Sequence, residues 1–370
     1  MGRSSTAPTL ELREPEDAFR RIEEWLRAQG FFVPGGDELV ADLYLGYGLS
    51  ESIRRTAVPP PSEPCSSLPL AACSIRPDAY AVLHVDNHTR VDMGAWEPTW
   101  TSSQYAAAVE RVRAAIERGD VYQVNLVQHL SASCPGAPAS IAGALAASLA
   151  SLRPLSPRPF VGEHWAVVSA SPELFLARRG RRLWTMPIKG TRPVGHAAEL
   201  QDSEKDAAEH VMIVDLERND LSRVCEPGTV RWPKLMATHE LAGVEHMVST
   251  VEGTLRAGVD LAEILEATFP GGSVTGAPKI AAVDLIAELE PVGRGASMGA
   301  LGSIRGNGDF DLALTIRTFA MGEDRIHLWV GGGVVWDSEP QEEVDESWTK
   351  ARPLLDALGA DVAAIEGMRT

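Results

Sequence analysis

Apolar residues recur along this chain at two spacings, one typical of helices and the other typical of strands. The helical spacing predicts helices at residues 15–29, 103–118, 139–152, 199–221, 240–255, 261–268, 280–289 and 340–358. Short apolar runs predict strands at residues 80–85, 89–93, 121–130, 166–170, 173–177, 182–186, 299–304, 312–319 and 326–330. This order predicts an α+β (or α/β) fold in which large, mostly antiparallel β-sheets carry helices packed on the outside.

Charge and cysteine usage narrow the classes of function. The 370 residues include 34 basic and 51 acidic side chains, a formal charge of −17, which argues against nucleic acid or an anionic membrane as a partner. An anionic substrate would therefore need a local basic pocket or a metal ion. The four cysteines are scattered without metal-binding spacing, and neither a signal peptide nor a run of about 18 apolar residues is present. We expect reduced thiols and a cytoplasmic location.

Residues 186–193, Met-Pro-Ile-Lys-Gly-Thr-Arg-Pro, place Lys189 between two residues that control the backbone. Pro187 fixes its own φ angle, whereas Gly190 permits a turn or the close approach of a ligand. The sequence predicts a stiffened loop that follows the strand at residues 182–186 and presents the lysine. Such a lysine can act as a nucleophile, a base or an anion-binding charge. A solvated turn lysine is the alternative.

Two predicted helices each carry a pair of acids three residues apart. Asp206 and Glu209 form one pair, and Glu343 and Glu346 form the other. Residues at this spacing share one face of a helix, so two facing pairs would offer oxygen ligands suited to Mg²⁺. Acids on solvated helix faces, with Glu346 paired to Lys350, are the alternative.

A glycine-rich segment at residues 271–279 precedes the predicted helix at 280–289. It departs from the phosphate-binding loop pattern, because its lysine does not follow the second glycine. Its amide groups would still lie at a helix N-terminus, where a carboxylate binds readily. We therefore predict that Thr275, Gly276 and Lys279 contribute to substrate binding.

Three consecutive glycines, Gly331 to Gly333, separate two strand-like runs. Glycine weakens a strand, so this triplet indicates either a ligand close to the backbone or a bulge. Arg317 lies in another strand-like run, where its guanidinium could bind a carboxylate through two hydrogen bonds. An ordinary strand arginine paired with a surface acid is the alternative.

The order of these segments resembles that of the chorismate-binding enzymes, which include the anthranilate, aminodeoxychorismate, isochorismate and salicylate synthases. The resemblance extends from about residue 104 to residue 352, over motifs that begin at Gly119, Ser171, Pro187, Met212, His246, Gly271, Thr315, Gly331 and Asp337. It implies the fold of that family. It also implies a catalytic region at residues 96–370 after a divergent, shortened N-terminal part at residues 1–95.

The resemblance also implies a role for each candidate residue. Mg²⁺ would bind Glu209 and Glu346, with Asp206 and Glu343 acting through water, and would hold the ring carboxylate of chorismate. Arg317 and the amides around Gly331 and Gly333 would hold the enolpyruvyl carboxylate. The acid/base near the leaving hydroxyl would be Glu173, and the side chain against the substrate ring would be His246.

Two positions separate the reactions within the family. The water-using members, isochorismate and salicylate synthases, carry a lysine where this chain has Gln123, which favours ammonia as the nucleophile here. Anthranilate synthases have alanine at the position of Lys189, whereas aminodeoxychorismate synthases have lysine. The resemblance therefore implies covalent attack by Lys189 on C2 of chorismate and formation of 4-amino-4-deoxychorismate, a precursor of p-aminobenzoate.

None of the four cysteines has the surroundings of a glutaminase nucleophile. The resemblance then implies a separate glutamine amidotransferase subunit that supplies ammonia. An anthranilate synthase large chain is the alternative enzyme, isochorismate or salicylate synthase is less favoured, and a catalytically silent subunit that docks an amidotransferase is the alternative of another class. Val194, Ser297 and Ser303 depart from the family pattern and predict an altered pocket wall.

Overall fold

The computed structural model describes residues 8–33, 38–77, 91–241 and 244–360, with only the backbone at residues 77, 191, 193, 201, 205, 241 and 244. The helices in this part are α1 (Ala18–Ala28), α2 (Ser102–Glu117), α3 (Pro138–Leu149), α4 (Ala197–Gln201), α5 (Glu204–Ser222), α6 (Leu261–Thr268), α7 (Lys279–Leu289) and α8 (Pro340–Ala357). The strands are β1 (Thr9–Leu12), β2 (Leu39–Leu45), β3 (Ala71–Pro77), β4 (Glu97–Pro98), β5 (Gln123–Ser133), β6 (Phe160–Val161), β7 (Trp165–Ser169), β8 (Leu174–Arg179), β9 (Arg182–Met186), β10 (Ile188–Pro193), β11 (Arg231–Leu241), β12 (Val244–Thr254), β13 (Gly276–Ala277), β14 (Ala300–Arg305), β15 (Phe310–Leu314), β16 (Thr318–Gly322) and β17 (Arg325–Val334).

These strands form two antiparallel sheets. The first has ten strands in the order β1-β3-β2-β14-β15-β8-β9-β12-β10, with β11 paired to β12. The second has seven strands in the order β13-β5-β17-β16-β7-β6, with β4 paired to β5. Helices cover the sheets, since α2 and α8 pack against β5 and β17 while α5 packs against β10 and β12. The predicted α+β fold with antiparallel sheets is confirmed.

Several helix boundaries follow from capping groups that the sequence supplies. Thr101 begins α2, because its hydroxyl accepts from the amide of Gln104 at 3.2 Å while the Gln104 side chain accepts from the amide of Thr101 at 2.9 Å. Asp260 and Glu263 cap α6 in the same reciprocal way. The predicted helices at residues 103–118 and 261–268 are confirmed within one residue of their ends.

The segment at residues 240–255 is not the predicted helix. Residues 244–254 form β12, which pairs with β9, β10 and β11. The β-branched side chains of Val248, Thr250 and Val251 favour an extended backbone. The predicted helix at residues 199–221 is in fact α4 and α5, because the Ser203 hydroxyl accepts from the amide of Asp206 at 3.2 Å and starts a new helix.

Two strand predictions also need correction. The segment at residues 312–319 divides into β15 and β16, which lie in different sheets, and Arg317 lies between them with a φ angle of 50°. The three glycines at residues 331–333 do not interrupt a strand, since β17 continues through them. The predicted strands at residues 80–85 and 89–93 fall outside the described residues, apart from residues 91–93, which are not in a strand.

A buried ion pair joins α7, β5 and the glycine-rich segment. Arg294, which is 1% exposed, donates from Nε to one carboxylate oxygen of Glu290 at 2.8 Å and from Nη2 to the other at 2.7 Å. The same guanidinium donates to the carbonyl groups of Val274 at 2.8 Å and Asn125 at 2.7 Å. Glu290 also accepts from the amide of Val127 at 3.0 Å. The pair therefore fixes β5 and the glycine-rich segment against the C-terminal end of α7.

Replacement of Arg294 by methionine is expected to lower the free energy of unfolding by about 3–5 kcal/mol, because Glu290 would remain as a buried carboxylate without its partner. Urea unfolding measures this loss. A matched control is Arg218→Met, which removes a solvent-accessible pair with Asp215 and should cost no more than about 1 kcal/mol. Equal losses in the two variants would contradict the role given to the buried pair.

Candidate active site

Lys189 lies in strand β10 and not on the predicted loop. Pro187 separates β9 from β10, and the register of β10 against β12 shifts between Lys189 and Thr191. Gly190, with a φ angle of 64°, forms this irregularity. The lysine side chain reaches the second sheet, since its Nζ atom lies 3.3 Å from the position that a Cβ atom would take at Gly333 of β17. Lys189 therefore bridges the two sheets.

Gly333 leaves room for two side chains to meet. A Cβ atom at this position would clash with the Gln123 amide, which comes from the adjacent strand β5. Gln123 is buried, and its Oε1 atom has no hydrogen-bond partner among the described residues. Lys189, Gln123 and Gly333 thus lie close together.

Glu173 is a buried carboxyl group directly before β8. Its Oε1 atom accepts a hydrogen bond from the Ser273 hydroxyl at 2.7 Å. Burial raises the pKa of Glu173, while this hydrogen bond and the positive charges of Lys189 and Arg317 oppose the rise. A raised pKa keeps a carboxyl group protonated toward neutral pH, which is the condition for a general acid.

The charges of Arg317 and Lys189 both act on Glu173. Across the part of the chain that the structure describes, neither side chain makes an ion pair or a side-chain hydrogen bond, although both are partly buried. Burial lowers the pKa of Arg317, and the charge of Glu173 opposes this change. In a chain with a charge of −17, two partly buried cations without acidic partners mark a place where an anionic ligand would bind.

His246 lies beside the irregularity at Gly190. It is buried in β12, and its Nδ1 atom is 3.3 Å from the Gly190 carbonyl oxygen. Burial lowers the pKa of His246, the contact with Gly190 opposes this change, and the charge of Arg317 lowers the pKa further. The imidazole is therefore neutral at pH 7. A neutral ring can accept or donate a proton at a ligand placed between Lys189 and Arg317.

The two acid pairs lie on different sides of this site. Asp206 binds Arg192 at 2.9 Å and approaches Gly190, while Glu209 is partly buried on the same helix. Carboxylate oxygens of Glu343 and Glu346 lie 3.3 and 3.2 Å from the position of a Cβ atom at Gly332. No three His, Cys, Asp or Glu side chains gather as a metal cluster in the described ranges. Mg²⁺ binding by these four acids stays a prediction.

One of the acids near Gly332, Glu346, is paired with a lysine. Lys350 donates to Gly331 O at 2.9 Å and binds Glu346 at 2.6 Å, and its Nζ atom lies near the same Gly332 position. A carbonyl and carboxylates are the hard oxygen ligands that Mg²⁺ prefers, and this ion usually keeps several waters and takes only one or two carboxylates. The chemistry of these donors therefore fits Mg²⁺ even though the acids are spread over two helices.

The polar groups of the glycine-rich segment bind other parts of the protein. Gly276 begins β13, which pairs with β5, and the Thr275 hydroxyl donates to the Gly271 carbonyl at 2.9 Å. Lys279 binds Asp220 at 2.5 Å and the Thr268 carbonyl at 3.0 Å. Lys279 is therefore paired within the fold, and its contact with a substrate stays a prediction.

Three residues near Lys189 and Glu173 were missed in the sequence. Ser273 binds Glu173, and only its place within the glycine-rich segment marked it. His210 lies near Lys189, is buried, and contacts the Ser249 hydroxyl at 2.6 Å. Burial and the nearby charge of Lys189 together lower the pKa of His210 to about 4. Glu217 is 6% exposed on α5, and one of its oxygens lacks a partner within the described residues.

A family profile described as chorismate binding enzyme matches residues 72–356. The chain belongs to the chorismate-binding enzyme family. It is 38% identical over 331 residues to an anthranilate synthase component 1 of Streptomyces coelicolor, covering 85% of this chain and 60% of that protein. It is 39% identical over 277 residues to an aminodeoxychorismate synthase component 1 of Bacillus subtilis, covering 72% of this chain and 57% of that protein. The chain thus spans about 60% of the length of these relatives.

Solved structures of chorismate-using enzymes share the fold. Anthranilate synthase component I from Streptococcus pneumoniae TIGR4 matches with a TM-score of 0.80 and 24% identity, over 96% of this chain and 95% of that chain. A putative 2,3-dihydroxybenzoate-specific isochorismate synthase from Bacillus anthracis matches with a TM-score of 0.73 and 23% identity, over 96% and 92% of the two chains. The predicted family fold is confirmed.

Further sequence predictions concern the membrane and the pocket wall. Within the described residues, every helix is too short or too polar to cross a membrane.

Of the residues that depart from the family pattern, Val194 is exposed. Ser297 is fully buried and donates to the Thr315 carbonyl at 3.3 Å, and Ser303 pairs with Asp42 and Asp311 in the first sheet. The two serines are thus part of the packed interior and the sheet.

Glu217 predicts a measurable pH dependence of stability. Burial, opposed by the hydrogen bond with Thr185 and aided by the charge of Glu173, raises its pKa to about 8. Between about pH 5 and pH 8 the folded protein keeps the proton on this carboxyl group, whereas the unfolded chain has lost it. The free energy of unfolding should therefore fall as the pH rises through this range. Glu217→Gln should remove about 2–4 kcal/mol of this fall, because one pKa unit corresponds to about 1.4 kcal/mol.

Chemical denaturation at several pH values measures the difference between the wild-type and Glu217→Gln curves. The matched control is Glu288→Gln, which changes an exposed carboxylate on α7 and should leave the slope unchanged. Parallel curves for wild type and Glu217→Gln would show that the Glu217 carboxyl titrates in the folded protein as it does in the unfolded chain.

Proposed function

We propose that this protein is the chorismate-aminating component of an aminodeoxychorismate synthase. The reaction would join ammonia to chorismate with loss of water and give 4-amino-4-deoxychorismate. The observation that carries the proposal is the position of the Lys189 amine, which lies beside Gly333 and close to the buried acid Glu173 with no acidic ion-pair partner among the described residues. Anthranilate synthase and aminodeoxychorismate synthase components match this chain at similar identity. The residue at position 189 therefore distinguishes the two reactions.

Lys189 would act as a nucleophile in the first half of the reaction. Its amine forms a bond to C2 of chorismate, the ring double bond shifts, and the C4–oxygen bond breaks. Glu173 would donate the proton with which the 4-hydroxyl leaves as water, and the upward shift in the pKa of this buried carboxyl group supports such a role. His246, neutral and buried near Gly190, would accept the proton that the attacking amine loses.

Ammonia would then add at C4 and reverse the shift of the double bond, so that the C2–nitrogen bond to Lys189 breaks. The amine of Lys189 recovers its proton, and the enolpyruvyl group stays on the ring. Gln123, which also lies against Gly333, carries an amide that cannot serve as a base toward water. This supports ammonia as the nucleophile and disfavours the isochorismate and salicylate synthase reactions.

The two carboxylates of chorismate would bind opposite ends of the site. Arg317, a partly buried cation, would hold the enolpyruvyl carboxylate together with backbone amides near Gly331 and Gly333. Mg²⁺, bound by Glu209 and Glu346 with Asp206 and Glu343 acting through water, would supply positive charge to the ring carboxylate. A metal ion would supply positive charge for binding an anionic substrate to a chain with a charge of −17.

A glutamine amidotransferase subunit would supply the ammonia. This proposal is supported by relatives named component 1 of two-component synthases. Free ammonium should replace that partner in vitro. The alternative function is that of an anthranilate synthase component, in which ammonia adds at C2, and it is favoured by relatives of that name at 38% and 40% identity.

Lys189→Ala is expected to abolish formation of 4-amino-4-deoxychorismate and to shift residual chemistry toward amination at C2. Lys189→Arg should be equally inactive in this reaction, because a guanidinium is always protonated and cannot act as a nucleophile. Incubation with chorismate, Mg²⁺ and ammonium, followed by chromatography, resolves the products. Lys234→Ala, which removes an exposed lysine of β11, is the matched control and should behave as wild type. Near-normal output from Lys189→Arg would show that the side chain only supplies charge.

Glu209→Gln and Glu346→Gln should each lower kcat/KM by about a hundredfold or more without unfolding the protein, because an amide is a weaker Mg²⁺ ligand than a carboxylate. Titration calorimetry with Mg²⁺ measures the affinity directly, and circular dichroism checks the fold. Glu342→Gln changes an exposed acid in the first turn of α8 and serves as the control. Full turnover of the wild type in excess chelator would contradict the metal requirement.

A further inference from the structure

Two carboxamide side chains on β5 end in oxygen atoms that the protein leaves unpaired. Asn125 is 8% exposed and Gln123 is 1% exposed. Among the described residues, neither the Oδ1 atom of Asn125 nor the Oε1 atom of Gln123 has a hydrogen-bond partner. The two residues are two positions apart and so share one face of the strand. A buried acceptor without a partner costs free energy, so these oxygens indicate a ligand that donates hydrogen bonds.

The backbone of Asn125 places its side chain beside Gly333. The Asn125 amide donates to the Thr275 carbonyl at 2.7 Å and its carbonyl accepts from Arg294 at 2.7 Å, so both backbone groups face away from β17. Asn125 and Gly333 are opposite each other in register, and the Cα atoms of such a non-hydrogen-bonded pair are about 4.5 Å apart. The Lys189 Nζ atom lies 3.3 Å from the position of a Cβ atom at Gly333. The Asn125 carboxamide therefore borders the same space as the Lys189 amine.

Asn125 is also bound to the segment that holds the buried acid Glu173. Thr275, whose carbonyl accepts from the Asn125 amide, is two residues from Ser273. The Ser273 hydroxyl donates to the Oε1 atom of Glu173 at 2.7 Å. One short segment therefore connects Asn125 to the partner of the acid, while its pairing with β17 brings it to the amine of Lys189.

The hydrogen-bonding groups of chorismate narrow the identity of the donor. At neutral pH this molecule carries two carboxylates and an ether oxygen, which only accept hydrogen bonds, whereas its 4-hydroxyl group can donate one. For Glu173 to protonate the oxygen of that hydroxyl group, the hydroxyl hydrogen must point away from the acid and toward another acceptor. A neutral amide oxygen can accept it without repelling the two carboxylates of the substrate.

We propose that the Oδ1 atom of Asn125 accepts a hydrogen bond from the 4-hydroxyl group of chorismate and orients that group toward Glu173. The inference rests on the proposed function for the identity of the substrate, although the 4-hydroxyl group is lost in both aminating reactions. The hydroxyl keeps its own hydrogen, directed at Asn125, and Glu173 adds a second one. The electron pair of the C4–oxygen bond then leaves with the oxygen as water. Asn125 is favoured over Gln123 because it binds the segment that contains Ser273.

Binding of chorismate and of an analogue with hydrogen in place of the 4-hydroxyl group tests this contact. Titration without ammonium, in protein that carries Lys189→Ala and so forms no covalent bond to the ring, measures both dissociation constants. Adding Asn125→Leu should weaken chorismate binding about tenfold, equivalent to 1.4 kcal/mol, and leave the affinity for the analogue within about twofold. Gln128→Leu is the matched control and should change neither affinity, because Gln128 is a buried carboxamide on the other face of β5 and donates to Ser347 at 2.7 Å.

Equal weakening of chorismate and analogue by Asn125→Leu would overturn the proposal. So would a selective loss of chorismate affinity in Gln123→Leu that Asn125→Leu does not show. Unchanged affinity for both ligands in Asn125→Leu would mean that the Asn125 oxygen binds only water. Because the titration involves no amination, a wild-type protein that forms no 4-amino-4-deoxychorismate would contradict the proposed function and leave this test of Asn125 intact.

Thermal unfolding separates a binding role of Asn125 from a structural one. Asn125→Leu removes a buried oxygen that has no partner among the described residues, so its melting temperature should equal or exceed that of the wild type. Gln128→Leu removes the hydrogen bond to Ser347 and should lower the melting temperature. An equal loss in the two variants would show that the Asn125 side chain supports the fold, and would contradict the proposal.

Discussion

The buried pair of Glu290 and Arg294 is the interaction on which the rest of the site depends. Arg294 binds the carbonyl groups of Val274 and Asn125, and Glu290 binds the amide of Val127. Two charges out of water stabilise a fold only when each polar atom finds a partner, as it does here. Through these contacts one helix holds both β5 and the glycine-rich segment. The pair thereby fixes Gln123 on one side and Ser273, the partner of Glu173, on the other.

The candidate active site lies at the junction of the two sheets. Lys189 and His246 come from the first sheet, whereas Gln123 and the glycines of β17 come from the second. Arg317 lies in the turn where the chain passes from one sheet to the other. Because glycine at residue 333 leaves space at this junction, side chains from both sheets can reach one ligand. The site therefore depends on the docking of the sheets and on no single loop.

Local patterns in the sequence predicted the elements whose causes are local. Helices α2 and α6 begin at side chains that cap their own amides, so spacing and capping residues sufficed. Residues 240–255 were predicted wrongly because an apolar run fits either a helix or a buried strand. The neighbours β9, β10 and β11 decide in favour of the strand, and they are distant in sequence. The sequence prediction also missed the boundary between α4 and α5, because Ser203 was not recognised as the capping residue of α5.

The residues of the candidate site likewise divide into those that the sequence predicted and those that it missed. The family motifs predicted Glu173, Lys189, His246 and Arg317, and the structure places these side chains near one another. They did not predict that Lys279 pairs with Asp220, or that His210 and Glu217 are buried nearby. Burial and ion pairing depend on how α5 packs against the sheets, which a one-dimensional pattern does not contain.

The central claim is that Lys189 directs ammonia to C4 of chorismate and leaves the enolpyruvyl group in place. Equal resemblance to two groups of synthases means that only the product distinguishes them. The most direct measurement is to incubate the wild-type protein with chorismate, Mg²⁺ and ammonium and to identify the product by mass spectrometry after chromatography. The account predicts 4-amino-4-deoxychorismate with its enolpyruvyl group intact. Anthranilate and free pyruvate as the main products would contradict it.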